Sequence, residues 1–92
     1  MRNQPKPLSH EDRRWQNIVR MGMVTAMSVD MSVQVRYTKR NGEVGNSTGK
    51  VIFFNGTPGM DTGSFTLDTA DKGQRTINLH RVIGWRTEGD AQ

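Results

Sequence analysis

From Met31 onward apolar and polar residues alternate. Met31, Val33, Val35 and Tyr37 fall on one face of a strand, and Ser32, Gln34, Arg36 and Thr38 on the other. Asn41-Gly42 follows, the pair favoured by a type I′ hairpin turn because both central residues there need positive φ. The next segment, Val44 to Gly49, is rich in Gly and Ser and predicts an interrupted strand at best. Lys50 to Phe54 is a nearly unbroken apolar run, which predicts a strand buried on both faces. Asn55 to Gly59 is a turn. Ser64 to Asp68 then alternates with Phe65 and Leu67 inward, Asp71-Lys72-Gly73 turns the chain, and Gln74 to Leu79 returns it with Ile77 and Leu79 inward. The parity slips at His80-Arg81, which predicts a tight bend before a last strand over Val82 to Arg86. Five short strands with brief connections predict a mainly β fold, and closure into a small barrel would remove its exposed edges.

Upstream the period changes. Met1 to Leu8 carries two prolines among polar residues and reads as a flexible arm. Ser9-His10-Glu11-Asp12 places a hydroxyl at an N-cap and acids in a first helical turn. Trp15, Ile18, Val19, Gly22, Met23, Ala26 and Met27 then recur at helical spacing and make one apolar stripe, read as packing on the sheet. Met21, Met23, Thr25, Met27 and Val29 also alternate strictly, and Gly22 weakens a helix by about 1 kcal/mol relative to Ala. A helix is therefore predicted over roughly 10–20, with 21–29 open between helix and strand. One domain over 9–88 with a tail at 89–92 accounts for the chain.

Composition narrows the chemistry. Ninety-two residues with 33% hydrophobic content and ten Gly suit a small loop-rich β-domain. The absence of Cys removes disulfides, thiolate nucleophiles and zinc–thiolate sites together. No apolar stretch approaches the length of a membrane span, so the expectation is a cytoplasmic protein, or a virion-associated one, with no membrane partner. His10 and His80 lack a nucleophile–base pattern around them, and Asp61, Asp68 and Asp71 sit in turns where Asp bonds its own backbone. Asp68-x-x-Asp71 lacks the further oxygens of a calcium loop, and the Gly pairs 42/45 and 56/59 do not form a phosphate-binding loop. The chain is expected to be no enzyme and to carry no cofactor.

The net charge is +4, with nine Arg among thirteen basic residues. Arginine suits bidentate contact with phosphates or carboxylates. Arg36, Lys39, Arg40, Arg75 and Arg81 are the candidate nucleic-acid contacts, with Tyr37 as a stacking residue. Two bland alternatives stand beside this. Tyr37 and Phe65, the two aromatics that could stack on bases, are better explained as core, and Arg75 and Arg81 could pair with Asp68 or Asp71 across strands.

The stretch Val33 to Trp85 resembles the barrel of WYL domains. The matching segments are Val35-Arg36-Tyr37, Asn41-Gly42-Glu43, Phe65-Thr66-Leu67 and Arg75 to Val82, while Ser64 to Leu67 stands where that family has Trp-Tyr-Leu. The resemblance implies an SH3/Sm-like five-stranded barrel that binds nucleic acid or a nucleotide-like ligand in a regulatory role, with Tyr37, Arg75 and Arg81 as ligand contacts. A second stretch, Asn17 to Ala26 followed by Val33 to Arg36, looks like the opening OB-like strands of bacteriophage baseplate and tail assembly proteins. It implies a structural subunit whose partners are neighbouring subunits, and it requires 21–29 to be a strand. The sequence thus points to a binding module for nucleic acid, or for a protein that handles it, with a phage assembly role as the alternative and a homo-oligomer open under either.

Overall fold

The computed structural model describes residues 6–88; the expected tail over 89–92 and the first part of the expected arm lie outside them. One helix precedes five strands: α1 (His10–Ser28), β1 (Ser32–Thr38), β2 (Val44–Asn55), β3 (Ser64–Thr69), β4 (Gly73–Asn78) and β5 (Val82–Thr87), with a 3₁₀ turn at Leu79–Arg81 before β5. The strands form one antiparallel sheet in the order β4-β3-β2-β1-β5. The mainly β fold with an N-terminal helix is as expected, but the barrel is not closed. β4 and β5 are the two edges of the sheet, joined through the 3₁₀ turn, and α1 packs over the sheet.

The helix starts where Ser9 predicts: its Oγ accepts from the Asp12 N–H at 3.2 Å. It does not stop at residue 20. It runs to Ser28 and ends in a Schellman motif, in which the Asp30 N–H donates to the Met27 carbonyl and the Met31 N–H to the Ala26 carbonyl. Asp30 takes the left-handed conformation (φ 57) that glycine usually supplies at this place. Residues 21–28 are thus helical, which removes the strand on which the OB-like phage resemblance rested. The buried stripe is also rotated from the expected one. Gln16, Val19, Met23 and Ala26 are buried, while Ile18 is 50% exposed and Met27 37%.

The sheet's inner face supplies the rest of the core: Val33, Val35, Val51, Phe65, Leu67 and Ile77, closed off by Leu79 and Val82. Trp15 and Trp85 meet at the rim with ring centroids 5.8 Å apart, and the Trp15 indole donates to the Val82 carbonyl at 2.5 Å. Three local expectations need correction. The Asn41-Gly42 turn is not type I′, because Gly42 has positive φ (90°) and Asn41 does not. Gly42 N–H donates to Lys39 C=O and Lys39 N–H to Glu43 C=O, the three-residue hairpin of a type I turn followed by a left-handed residue. Val44 to Gly49 is regular strand throughout, with Gly45, Ser47 and Gly49 on the inner face. Small residues are needed there, since a Cβ on Gly49 would approach the Asp68 carbonyl oxygen to 2.5 Å. Lys50 to Phe54 is not buried on both faces. The register shifts between Val51 and Phe53, Val51 is buried, and Ile52 and Phe53 are 38% and 43% exposed.

Residues 6–8 lie along the β2–β3 loop. Lys6 N–H donates to Asp61 Oδ1 at 2.9 Å, Asp61 N–H to the Lys6 carbonyl at 2.9 Å, and Leu8 N–H to the Gly59 carbonyl at 3.0 Å. No helix among the described residues is long and apolar enough to cross a membrane.

Candidate functional site

Strand parity decides where the predicted basic residues point. Val33 and Val35 are buried on the inner face of β1, so Arg36, between Val35 and Tyr37, projects from the outer face and is exposed. Its cross-strand partners are Asn46 on β2 and Gly84 on β5. One pair further along, Gln34 lies opposite Thr48 and Arg86. Arg36 and Arg86 are therefore diagonal neighbours on one face, about 7–8 Å apart at the backbone. With Gln34, Asn46 and Ile83 they line an open groove of about 600 Å³. Arg86 also pairs with Glu88 at 3.3 Å, while Arg36 has no ion pair among the described residues. The groove thus offers two guanidinium forks, two side-chain amides and the half-exposed Ile83, which suits an anionic backbone with apolar parts.

The remaining predicted residues distribute around this groove unevenly. Arg40 is exposed at the tip of the β1–β2 turn. Lys39 shares the parity of Tyr37, and a Cβ built on Gly45 would touch both its stem and the Tyr37 ring. Arg81 is half-buried in the 3₁₀ turn, where the pairing of Val82 with Tyr37 brings it to the same end of β1. Arg75 stands apart, exposed on the edge strand β4 opposite Leu67, with two strands between it and β1. Neither Arg75 nor Arg81 pairs with Asp68 or Asp71. Tyr37 packs against the core and its hydroxyl lies 3.4 Å from Ser47 Oγ. It faces away from Arg36, so the two do not meet one ligand in the groove.

Gln34 and Asn46 carry no signal in the sequence, and Arg86, one of the basic residues of the β region, is not among the contacts expected from it. Arg86 could have been found by laying the last strand antiparallel to the first, a pairing that places it across from Gln34. The histidines are not drawn together: His10 is exposed at the helix start, and His80 sits in the 3₁₀ turn. His80 Nδ1 is the one buried side-chain polar atom without a partner among the described residues. No group of three or more metal-ligating side chains occurs among the described residues.

No family model matches this sequence, and no curated protein matches it. Its fold is similar to part of the proteasome accessory factor B/C (PafBC) of Arthrobacter aurescens, with a TM-score of 0.70 and 19% identity. The match covers 94% of this chain and 13% of that one. The likeness concerns the fold alone.

Proposed function

We propose that this domain is a non-catalytic binding module of a regulatory kind, which holds a nucleic-acid backbone in the groove on the outer face of β2, β1 and β5. The observation that carries the reading is the diagonal placement of Arg36 and Arg86 in one open groove, with Gln34 and Asn46 beside them and Arg40 at the adjoining turn. Guanidinium groups take phosphate oxygens bidentately and the amides add neutral hydrogen bonds, so phosphates position the ligand. The WYL-like fold and the segments that resemble WYL domains support the same reading. The Arg75 edge lies outside this interface.

A fluorescence-anisotropy titration with single- and double-stranded DNA and RNA, at ~50 and ~200 mM salt, tests it. Micromolar binding that weakens steeply with salt is the expected result. Absence of binding at the lower salt, together with self-association in sedimentation, would replace it by the assembly reading, in which the cationic face meets a neighbouring subunit.

A further inference from the structure

We propose a second site, independent of the groove: a small pit between α1 and the β2–β3 loop that takes an oxyanion carried on an apolar body, an organic phosphate or carboxylate. The pit is about 140 Å³ and shares no lining residue with the Arg36 groove. Its position is fixed by Gln16, which is fully buried. Gln16 Oε1 accepts from the Gly59 N–H at 2.6 Å and its Nε2 donates to the Met60 carbonyl at 3.1 Å, which pins the loop to the helix. One helical turn on, Arg20 reaches the space between the pinned loop and the start of β3.

What lines that space suits an anion. Arg20 makes no ion pair among the described residues. Ser64 is only 5% exposed, its hydroxyl has no hydrogen bond among the described residues, and it is not sealed from solvent, so its oxygen opens onto the pit. Asn55 adds a side-chain amide. Gly56 and Gly63 let the walls of the pit pack closely: a Cβ on the first would fall on the Thr62 carbonyl, and one on the second on the Gln16 amide. The nearby Asp61 carboxylate accepts from the Lys6 backbone and is not among the residues lining the pit. The unpaired guanidinium, the free hydroxyl and the amide all have N–H or O–H groups to donate, and no carboxylate lines the pit to compete for them.

Arg20 also borders a second hollow of about 390 Å³ on the outer side of the helix, lined by Asn17, Met21, Val24 and Thr25. Met21 is 71% exposed and Val24 43%. One guanidinium thus joins a polar pit to an apolar shelf, the arrangement that a small amphiphile with an anionic head fits.

Amide-resolved NMR titrations of the whole chain test this, with inorganic phosphate, phenyl phosphate, phenylacetate and benzyl alcohol as probes. Inorganic phosphate should shift the amides of Gly56, Gly63 and Ser64 only. Phenyl phosphate or phenylacetate should also shift Met21 and Val24 and bind about fivefold more tightly than the bare ion. Whichever binds more tightly identifies the head group. Arg20→Gln should weaken binding about tenfold, and Arg20→Lys, which keeps the charge but not the fork, by less. Arg36→Ala should leave it unchanged, so that failure here is separable from failure of the groove. The proposal is overturned by absence of saturable shifts up to ~20 mM, by shifts confined to the Arg36 groove, by equal binding of benzyl alcohol, or by a folded Arg20→Gln that binds like the native chain.

Discussion

Removing Arg36 and Arg40 together gives the sharpest test of the groove, because the salt dependence of binding counts phosphate contacts directly. The cations facing or adjoining the groove are Arg36, Arg86 and Arg40. For a single strand each neutralised phosphate contributes about −0.7 to the slope of log K against log[salt], so three contacts give about −2.1. Raising salt from ~50 to ~200 mM should then weaken binding about 18-fold. With Arg36→Ala and Arg40→Ala one contact remains, the slope falls to about −0.7, and the same change of salt should weaken binding only about 3-fold. If the electrostatic term vanishes towards ~1 M salt, loss of two contacts costs about 65-fold in affinity at ~50 mM. Anisotropy of a labelled single-stranded oligonucleotide reads all three quantities. Arg75→Ala, on the far edge strand, is the control and should leave the slope unchanged. An unaltered slope in the double variant, or a drop of similar size in the Arg75 variant, would refute the placement of the ligand over β1 and β5.

Three stability predictions follow from the packing around α1. Gln16→Leu leaves the Gly59 N–H and the Met60 carbonyl without their partner, which should cost about 2–4 kcal/mol in urea unfolding. A loss below about 1 kcal/mol would mean that water replaces the amide. Gly22→Ala should gain about 1 kcal/mol of helix propensity, yet its Cβ would come within 2.5 Å of the Trp85 ring. The substitution should therefore be destabilising in the native chain by about 1 kcal/mol, since overpacking costs about 1–3 kcal/mol. It should become stabilising in a Trp85→Ala background, a sign change that a double-mutant cycle detects. Asp30→Gly removes a non-glycine residue from left-handed φ and sacrifices an exposed ion pair with Lys50, 3.3 Å long. A strain relief of about 1–2 kcal/mol exceeds the few tenths typical of an exposed pair, so the variant should melt higher in a thermal scan.

The parts of the fold legible in the sequence were those set by local periodicity. Val33 and Val35, Phe65 and Leu67, and Ile77 and Leu79 point inward as their alternation requires, and the parity slip at His80-Arg81 is the 3₁₀ turn. What was not legible depends on tertiary context. The helix end was hidden because Asp30, not a glycine, occupies the left-handed position of the Schellman motif. The run at Val44 to Gly49 looks too weak for a strand because Gly49 answers to the close approach of the Asp68 backbone, some twenty positions away, and Gly45 to the Tyr37 and Lys39 side chains across the hairpin. The candidate site divides in the same way. Parity placed Arg36 on the outer face, whereas its neighbours Asn46 and Arg86 follow from register across strands, and Arg86 from a pairing between the first and last strands.

That division also bears on how a ligand would be gripped. Tyr37 and Arg36 are adjacent in the chain, and adjacency in a strand separates side chains to opposite faces. Stacking on Tyr37 and phosphate contact by Arg36 thus exclude each other for a ligand lying in one groove, and the packing of Tyr37 against the core favours the charge over the ring. Of the two apolar residues that line the groove, Ile83 is 49% exposed beside Arg36 and Arg86, whereas the Trp85 ring is packed against Trp15 and Gly22. An aliphatic side chain discriminates poorly between bases, and phosphate contacts do not discriminate at all. Binding through this face should therefore depend strongly on salt and weakly on sequence. A protein that used it for regulation would have to obtain its target choice from the shape or strandedness of the nucleic acid, or from another part of the assembly, rather than from base identity.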